Sequence, residues 1–219
     1  CKAGNETIDD GNRYSHGTHV AGIAAAKLDG NGTTGVAPDA DLLIAKTAWN
    51  FGMFDFSTAD EAIAWSVQNG ADVINISANY NFDRTYMNST TEVSPGMYFA
   101  NDTRGRNGIT YDKYGYAALY SSDLYYKNIV ESMKGHEAVL VLAAGNQNAD
   151  YAGQPSKLAF EEGVGERVII VGNWDTRTNK IAYGSNRAGT VCYDFNSVTN
   201  ICNSDDRVSD HYIMAPGRY

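Results

Sequence analysis

The chain has little of what several classes of protein depend on. Three of its 219 residues are cysteine and four are proline, which excludes a small disulfide-stapled fold and a proline-rich disordered chain. No apolar run approaches the roughly 20 residues that span a bilayer, so no transmembrane segment is predicted. The 17 lysines and arginines are scattered and outnumbered by 26 acidic residues, which argues against nucleic acid as a partner.

What remains is the composition of a globular protein. Hydrophobic residues make up 43% of the chain, and a chain of this length buries about 70% of its unfolded surface without cross-links. Cys192 and Cys202 bracket a polar stretch and predict a small disulfide loop, with two free thiols as the alternative. A disulfide would favour an oxidising compartment outside the cytosol.

Apolar runs of strand length alternate with helical patterns along the chain. Strands are predicted at 41–48, 71–77, 138–146 and 167–174, and helices at 20–27, 60–68 and 122–134. Because each strand is apolar throughout, the pattern predicts an α/β domain with a parallel sheet covered by helices on both sides. Residues 80–118 are polar, rich in tyrosine and without a clear period, and are expected to form a surface insertion.

Two histidines stand three residues apart in the stretch "SHGTHVAG" (15–22). On a helix His16 and His19 would share a face and could in principle bind one metal. The four-residue spacing and the glutamate of the common zinc motif are absent, so metal binding is disfavoured. Packing and proton transfer remain as alternatives, and Gly17 indicates that something approaches the backbone closely.

Five short motifs follow one another between about Ser15 and Gly217: "HGTHVAGI", "GVAP", "ADVINIS", "LAAGN" and "IMAPG". In this order they resemble the subtilisin-like serine proteases, the subtilase family (peptidase S8). The resemblance implies a three-layer α/β fold with a mainly parallel sheet flanked by helices. It also implies cleavage of peptide bonds in peptide or protein substrates by a Ser-His-Asp triad, and a secreted or cell-surface location.

The resemblance implies roles for individual residues. His16, the first histidine of "HGTH", matches the general base of the triad, whereas His19 matches a structural position. Asn146, which closes "AAGN", matches the asparagine whose amide stabilises the oxyanion. From the residues alone, Asn146 is better explained as a turn residue after Gly145.

Two segments match the walls of the first specificity pocket. Ser77, Ala78 and Asn79 fall where the family usually has Ser-Leu-Gly, and Ala143, Ala144 and Gly145 match the opposite wall. The first segment normally pairs with the substrate backbone like an added strand. Because this chain departs from the family pattern at Ala78 and Asn79, substrate preference is not carried over.

The loop "KLDGNGTTG" (27–35) matches a segment that holds calcium in many relatives. Asp29 would supply a carboxylate to a structural calcium ion, which requires six to eight oxygen ligands. An ordinary glycine-rich turn is the alternative. No cofactor is expected to be required for catalysis.

Two members of the triad are not evident. "IDDG" contains Asp9 and Asp10, but only six residues separate Asp9 from His16, so neither fits the triad acid well. No Gly-Thr-Ser sequence follows "APG" or occurs elsewhere in the chain. We therefore expect residues 1–219 to be a partial catalytic domain, cut at both ends and inactive alone. A non-catalytic binding or scaffold domain of the same fold is the alternative.

Overall fold

The computed structural model describes residues 16–47, 58–78, 87–94, 97–102, 109–111, 117–118, 122–149, 152–189, 195–196, 201–202 and 207–218. The chain divides into two compact units, Cys1–Asp72 and Val73–Tyr219. Among the described residues, the first unit contains two helices, and the second contains a mainly parallel sheet and two smaller antiparallel ones. Each unit is described in turn.

Helix α1 (His16–Ala25) opens the first unit, four residues before the predicted start. The loop that follows folds back onto it through three backbone hydrogen bonds of 2.8–3.0 Å, in which Gly35, Val36 and Ala37 donate to α1 and Ala26 carbonyls. A Cβ at Gly35 would lie 2.5 Å from the Ala25 nitrogen. A glycine is therefore required for this close approach.

Helix α2 (Ala59–Gln68) matches the prediction. Its buried residues recur with helical spacing, as Ala59, Asp60, Ala62, Ile63, Ser66 and Val67. Asp60 and Glu61 occupy the first turn, where negative charge is favourable toward the helix dipole. The helix ends before Gly70, which adopts φ +79°.

The strand predicted at 41–48 is not formed over its described part, since residues 41–47 are irregular. Leu42, Leu43 and Ile44 are 41–47% exposed, and no described strand pairs with them. An apolar run supplies side chains for burial, but a strand also needs a partner for its backbone groups. The sequence pattern indicates the apolar side chains but not whether a pairing strand is present.

The second unit is organised by a parallel sheet of four strands in the order β1, β6, β7, β11. These are Val73–Ile76, Val139–Ala143, Val168–Asp175 and Tyr212–Arg218. Short strand β8 (Lys180–Ile181) adds an antiparallel pair to β7. The predicted strands β1, β6 and β7 are present.

The core of this unit lies on β6, β7 and helix α3 (Ser122–Met133), which also matches its prediction. Tyr126, Ile129 and Met133 form the buried stripe of α3 at three- and four-residue spacing. The side chains of the strands alternate between fully and half-buried. The largest fully buried apolar side chains of this unit are Ile129, Met133, Leu140, Leu142, Leu158, Val164, Ile170 and Val208.

Residues 80–118 contain an antiparallel sheet that the sequence pattern did not predict. Strands β2 (Met87–Ser94), β3 (Met97–Asp102), β4 (Ile109–Tyr111) and β5 (Ala117–Ala118) pair in chain order. The register between β2 and β3 shifts twice. A register shift reverses which residues share a face, so the polar and apolar residues show no period of two. A further pair, β9 (Phe195–Asn196) and β10 (Ile201–Cys202), is also antiparallel.

Candidate active site

The carboxyl ends of β1 and β6 meet at one edge of the parallel sheet. Ile76 is in register with Leu142. Ser77, which follows β1, and Ala143, the last residue of β6, therefore lie side by side. The side-chain amide of Asn75 donates to the Ser77 hydroxyl at 2.8 Å. The two predicted pocket walls, Ser77–Ala78 and Ala143–Gly145, are thereby brought together, whereas Asn79 lies outside the described residues.

Asn146 lies at the exposed tip of a tight turn after β6. Pairing with β7 continues one residue beyond the strand, where the Ala144 amide donates to the Val171 carbonyl at 2.9 Å. Gly145 then adopts φ +114° and Asn148 φ +54°, which reverses the chain. Ala144 and Gly145 are buried and Asn146 is exposed. The Asn146 carboxamide makes no hydrogen bond within the described part of the chain, so its N–H groups are available to a ligand.

The side chain of Asn186, which is fully buried, stabilises this turn through hydrogen bonds. The Oδ1 atom of Asn186 accepts hydrogen bonds from the backbone amides of Gln147 and Ala149, both at 3.0 Å. Its Nδ2 atom donates to the Ala144 carbonyl at 3.0 Å and to Gln147 Oε1 at 3.4 Å. The Asn186 backbone amide also donates to the Gly145 carbonyl at 2.9 Å.

Asn186 is in turn attached to the sheet through its own carbonyl. The Tyr212 hydroxyl, on β11, donates to that carbonyl at 2.6 Å, and the Ser185 hydroxyl does so at 3.1 Å. Ser185 also accepts the backbone amide of Asn173 on β7 at 2.9 Å. Burial raises the pKa of Tyr212, against the opposing effects of the Ser185 hydrogen bond and the Arg187 charge. The phenol therefore remains protonated and able to donate.

Strands β7 and β11 end at the same edge, where the "APG" motif lies. Asn173 and Ala215 are in register. A Cβ at Gly217 would lie 2.6 Å from Asn173 Oδ1, so a larger residue there would displace the Asn173 side chain. Asn173 Oδ1 is buried and has no hydrogen-bond partner among the described residues.

His16 and His19 lie in the first unit, on the first turn of α1. Both side chains are exposed, so the packing explanation for the pair is not supported. Their three-residue spacing places them on one face of the helix, as predicted. No three His, Cys, Asp or Glu side chains of the described residues are grouped so that they could hold a metal ion.

The predicted calcium ligand Asp29 lies in an exposed turn after α1. Its Oδ1 atom accepts the Asn31 backbone amide at 2.9 Å, the hydrogen bond of an ordinary Asx turn. Gly30 and Gly32 adopt φ of +79° and +70°. The calcium role of Asp29 stays a prediction.

Several predicted residues lie outside the part of the chain that the structure describes. These are Asp9, Asp10 and Cys192, and the side chain of Cys202 belongs with them. Their predicted roles, as poor candidates for the triad acid and as a disulfide pair, stay predictions.

The parallel sheet and the polar turns at its carboxyl edge define an α/β protein with the site position typical of such enzymes. The model of the subtilase family matches residues 2–218. The chain therefore belongs to the subtilase family, as the five motifs predicted. Family membership and the sheet topology together confirm the predicted α/β fold.

Individual proteins similar to this chain include subtilisins. Subtilisin E of Bacillus subtilis is 32% identical over 148 residues, which cover 66% of this chain and 35% of that protein. Subtilisin DY of Bacillus licheniformis is 29% identical over 187 residues, covering 84% and 51%. The chain thus spans about a third to a half of the length of these relatives. A solved structure of the prenylagaramide maturation protease PagA matches 93% of this chain at 20% identity, with a TM-score of 0.48.

Asn186 is the residue of this site that sequence reasoning missed. The segment "YGSNRAG" (183–189) is polar and glycine-containing, which is the pattern of an exposed loop. No periodicity marks one of its side chains as buried. The available signal was the short polar pair Ser185-Asn186 after a strong strand, too common to be specific.

None of the described helices is long and apolar enough to cross a membrane.

Proposed function

We propose that this chain is part of a serine endopeptidase in which His16 is the general base and Asn146 the oxyanion donor. The observation that carries the proposal is the Asn146 turn. It presents an exposed carboxamide at the carboxyl end of a buried parallel strand, on a turn held by buried hydrogen bonds. Subtilase membership supports the assignment of the two residues.

In the proposed reaction a serine hydroxyl oxygen attacks the carbonyl carbon of the scissile peptide bond. His16 takes the hydroxyl proton, and the electron pair of the carbonyl moves onto its oxygen. The Asn146 amide donates a hydrogen bond to that negative oxygen. The tetrahedral intermediate then collapses, the carbon–nitrogen bond breaks, and His16 returns the proton to the leaving amine. Water repeats these steps to release the acyl group from the serine.

The nucleophilic serine and the triad aspartate belong, in this proposal, to parts of the protein beyond this chain. The chain contains no Gly-Thr-Ser sequence and spans 35–51% of the length of the two subtilisins. We expect the 219-residue chain by itself to hydrolyse peptides negligibly.

Peptide or protein substrates are proposed to bind between the two segments at the carboxyl edge. Ser77, Ala78 and Asn79 would pair with the substrate backbone, and Ala143, Ala144 and Gly145 would form the opposite wall. The small side chains of Ala78, Ala143 and Ala144 leave room for a substrate side chain. The protein is proposed to act outside the cell or at its surface, where the Cys192–Cys202 disulfide would be stable.

Steady-state kinetics of Asn146→Ala test this function in the full-length protein that contains the chain. The loss expected is the one known for the corresponding donor of subtilisin, about 10²–10³ in kcat, with little change in KM. Asn69→Ala, which removes another exposed asparagine side chain, at the end of α2, is the matched control and should retain wild-type kcat. An unchanged kcat in Asn146→Ala would exclude the oxyanion role.

A further inference from the structure

We propose that Asn186 is a positioning residue that fixes the orientation of the Asn146 turn for oxyanion binding. The inference rests on the proposed function of Asn146. It is carried by the hydrogen bonds of one buried carboxamide, all of which end on the segment 144–149 that contains Asn146. Asn186 does not itself reach the substrate in this proposal, because its side chain is fully buried.

Asn186 forms hydrogen bonds with residues that precede Asn146 in the chain and with residues that follow it. Before Asn146, the Ala144 and Gly145 carbonyls accept from Asn186; after it, the Gln147 and Ala149 amides donate to Asn186. These contacts fix both peptide groups that flank Asn146. The direction in which the Asn146 side chain leaves the turn is therefore set by Asn186.

Gln147 extends this control to Asn146 itself. Its Oε1 atom accepts the Asn146 backbone amide at 2.8 Å and the Asn186 Nδ2 group at 3.4 Å. The Asn146 amide and the Asn186 side chain thus share one acceptor. Movement of Asn186 would shift this acceptor and with it the backbone of Asn146.

The support is rigid because Asn186 is attached to two strands of the sheet. Its carbonyl accepts from Tyr212 on β11 and from Ser185, and Ser185 in turn accepts the amide of Asn173 on β7. The turn also receives a direct bond, from the Asn148 amide to the Gly184 carbonyl at 2.7 Å. Preorganised donors need not reorient during the reaction, and catalysis depends on that property.

The test is a double-mutant cycle of Asn186→Asp and Asn146→Ala in the full-length protein. Aspartate keeps the shape and the Oδ1 acceptor of Asn186 but replaces the Nδ2 donor with an oxygen that faces the Ala144 carbonyl. We expect Asn186→Asp to lower kcat by about 10- to 100-fold, a part of the loss from removing the donor itself, and to change KM less than about threefold. In the Asn146→Ala background the same substitution should lower kcat less than about twofold.

Ser156→Ala is the matched control, because Ser156 is fully buried but its hydroxyl has no hydrogen-bond partner in the described structure. It should leave kcat unchanged. Should Asn186→Asp fail to fold, Asn186→Ser takes its place in the same cycle. Asn186→Ser also removes the Oδ1 acceptor of the Gln147 and Ala149 amides, so faster hydrogen exchange of these two amides is expected in that variant, whereas Asn186→Asp, which keeps the acceptor, should leave their exchange slow.

Two results would overturn the proposal. One is a kcat of Asn186→Asp equal to wild type, and the other is an equal loss with and without the Asn146 side chain, which would make Asn186 purely structural. Failure of the underlying function looks different. In that case Asn146→Ala alone leaves kcat unchanged, whatever Asn186→Asp does.

Discussion

Replacing Gly172 with alanine should loosen the support of the Asn146 turn from a distance. Gly172 lies on β7 opposite Met214 of β11. A Cβ at this position would lie 2.5 Å from Tyr212 Cζ, closer still to its hydroxyl oxygen, and 2.8 Å from Met214 Sδ. Carbon contacts are normally about 3.5–4.0 Å, so the Tyr212 ring must move. Its hydrogen bond to the Asn186 carbonyl would then be broken.

The magnitude follows from two contributions. The lost hydrogen bond is worth about 1 kcal/mol, and the carbonyl is not left unsatisfied, since Ser185 still donates to it at 3.1 Å. Overpacking of a well-packed site adds about 1–3 kcal/mol. We expect Gly172→Ala to lower the free energy of unfolding by about 2–4 kcal/mol, a large share of the roughly 5–15 kcal/mol of an ordinary domain.

Urea denaturation followed by circular dichroism measures this loss. Gly22→Ala is the control, because Gly22 lies in α1 with open space around its Cβ position, and alanine there should stabilise the helix by up to about 1 kcal/mol. The loss from Gly172→Ala should fall by at least half in a Tyr212→Ala background. A loss below about 0.5 kcal/mol, or an equal loss in both backgrounds, would refute the claim that a Cβ at position 172 displaces the Tyr212 ring.

Three further predictions concern a bond, a segment and a charge. Cys192 and Cys202 should appear as one cross-linked pair in peptide mass spectrometry without reductant, and free thiols at both would contradict this. Deletion of residues 80–118 should change the ratio of kcat/KM between peptide substrates while the fold is kept, and a constant ratio across a varied set would argue for surface decoration. Burial acts to raise the pKa of Asp175, but hydrogen bonds from the amides of residues 177 and 178 and the Arg177 guanidinium outweigh it, so the pKa lies below 3.8. Asp175→Asn should therefore be less stable than wild type at pH 7, with a difference that shrinks as the pH falls below 3.8; a pH-independent difference in urea midpoint would exclude this.

The parts of the fold that the sequence predicted are those whose buried residues form a continuous apolar run or recur with helical spacing. Strand β6 is apolar throughout, with Leu140 and Leu142 fully buried, and helix α3 repeats its buried residues at three and four positions. Strand β11 was not predicted as a strand, because Pro216 and Gly217 interrupt its apolar run. Among the described strands it lies at the sheet's edge, paired with β7 alone.

The site divides in the same way. The motif around Asn146 was found because a strand ends there and the family pattern names the residue. Asn186 was not, because its importance comes from hydrogen bonds to residues 37 to 42 positions earlier, and no local pattern records such a distance. The irregular segment 41–47 shows the converse. Its apolar residues predicted a strand, but no described strand pairs with it.

The most direct test of the account is covalent labelling of the full-length protein with a fluorophosphonate, which reacts with a serine activated by a neighbouring base. The wild-type protein and His19→Ala should be labelled at similar rates, since His19 is assigned no part in proton transfer. His16→Ala should be labelled slower by several orders of magnitude, because knock-out of a triad member costs up to about 10⁶ in kcat. Equal labelling of His16→Ala and wild type, or no labelling of the wild-type protein, would contradict the claim that this chain carries the general base of a serine peptidase.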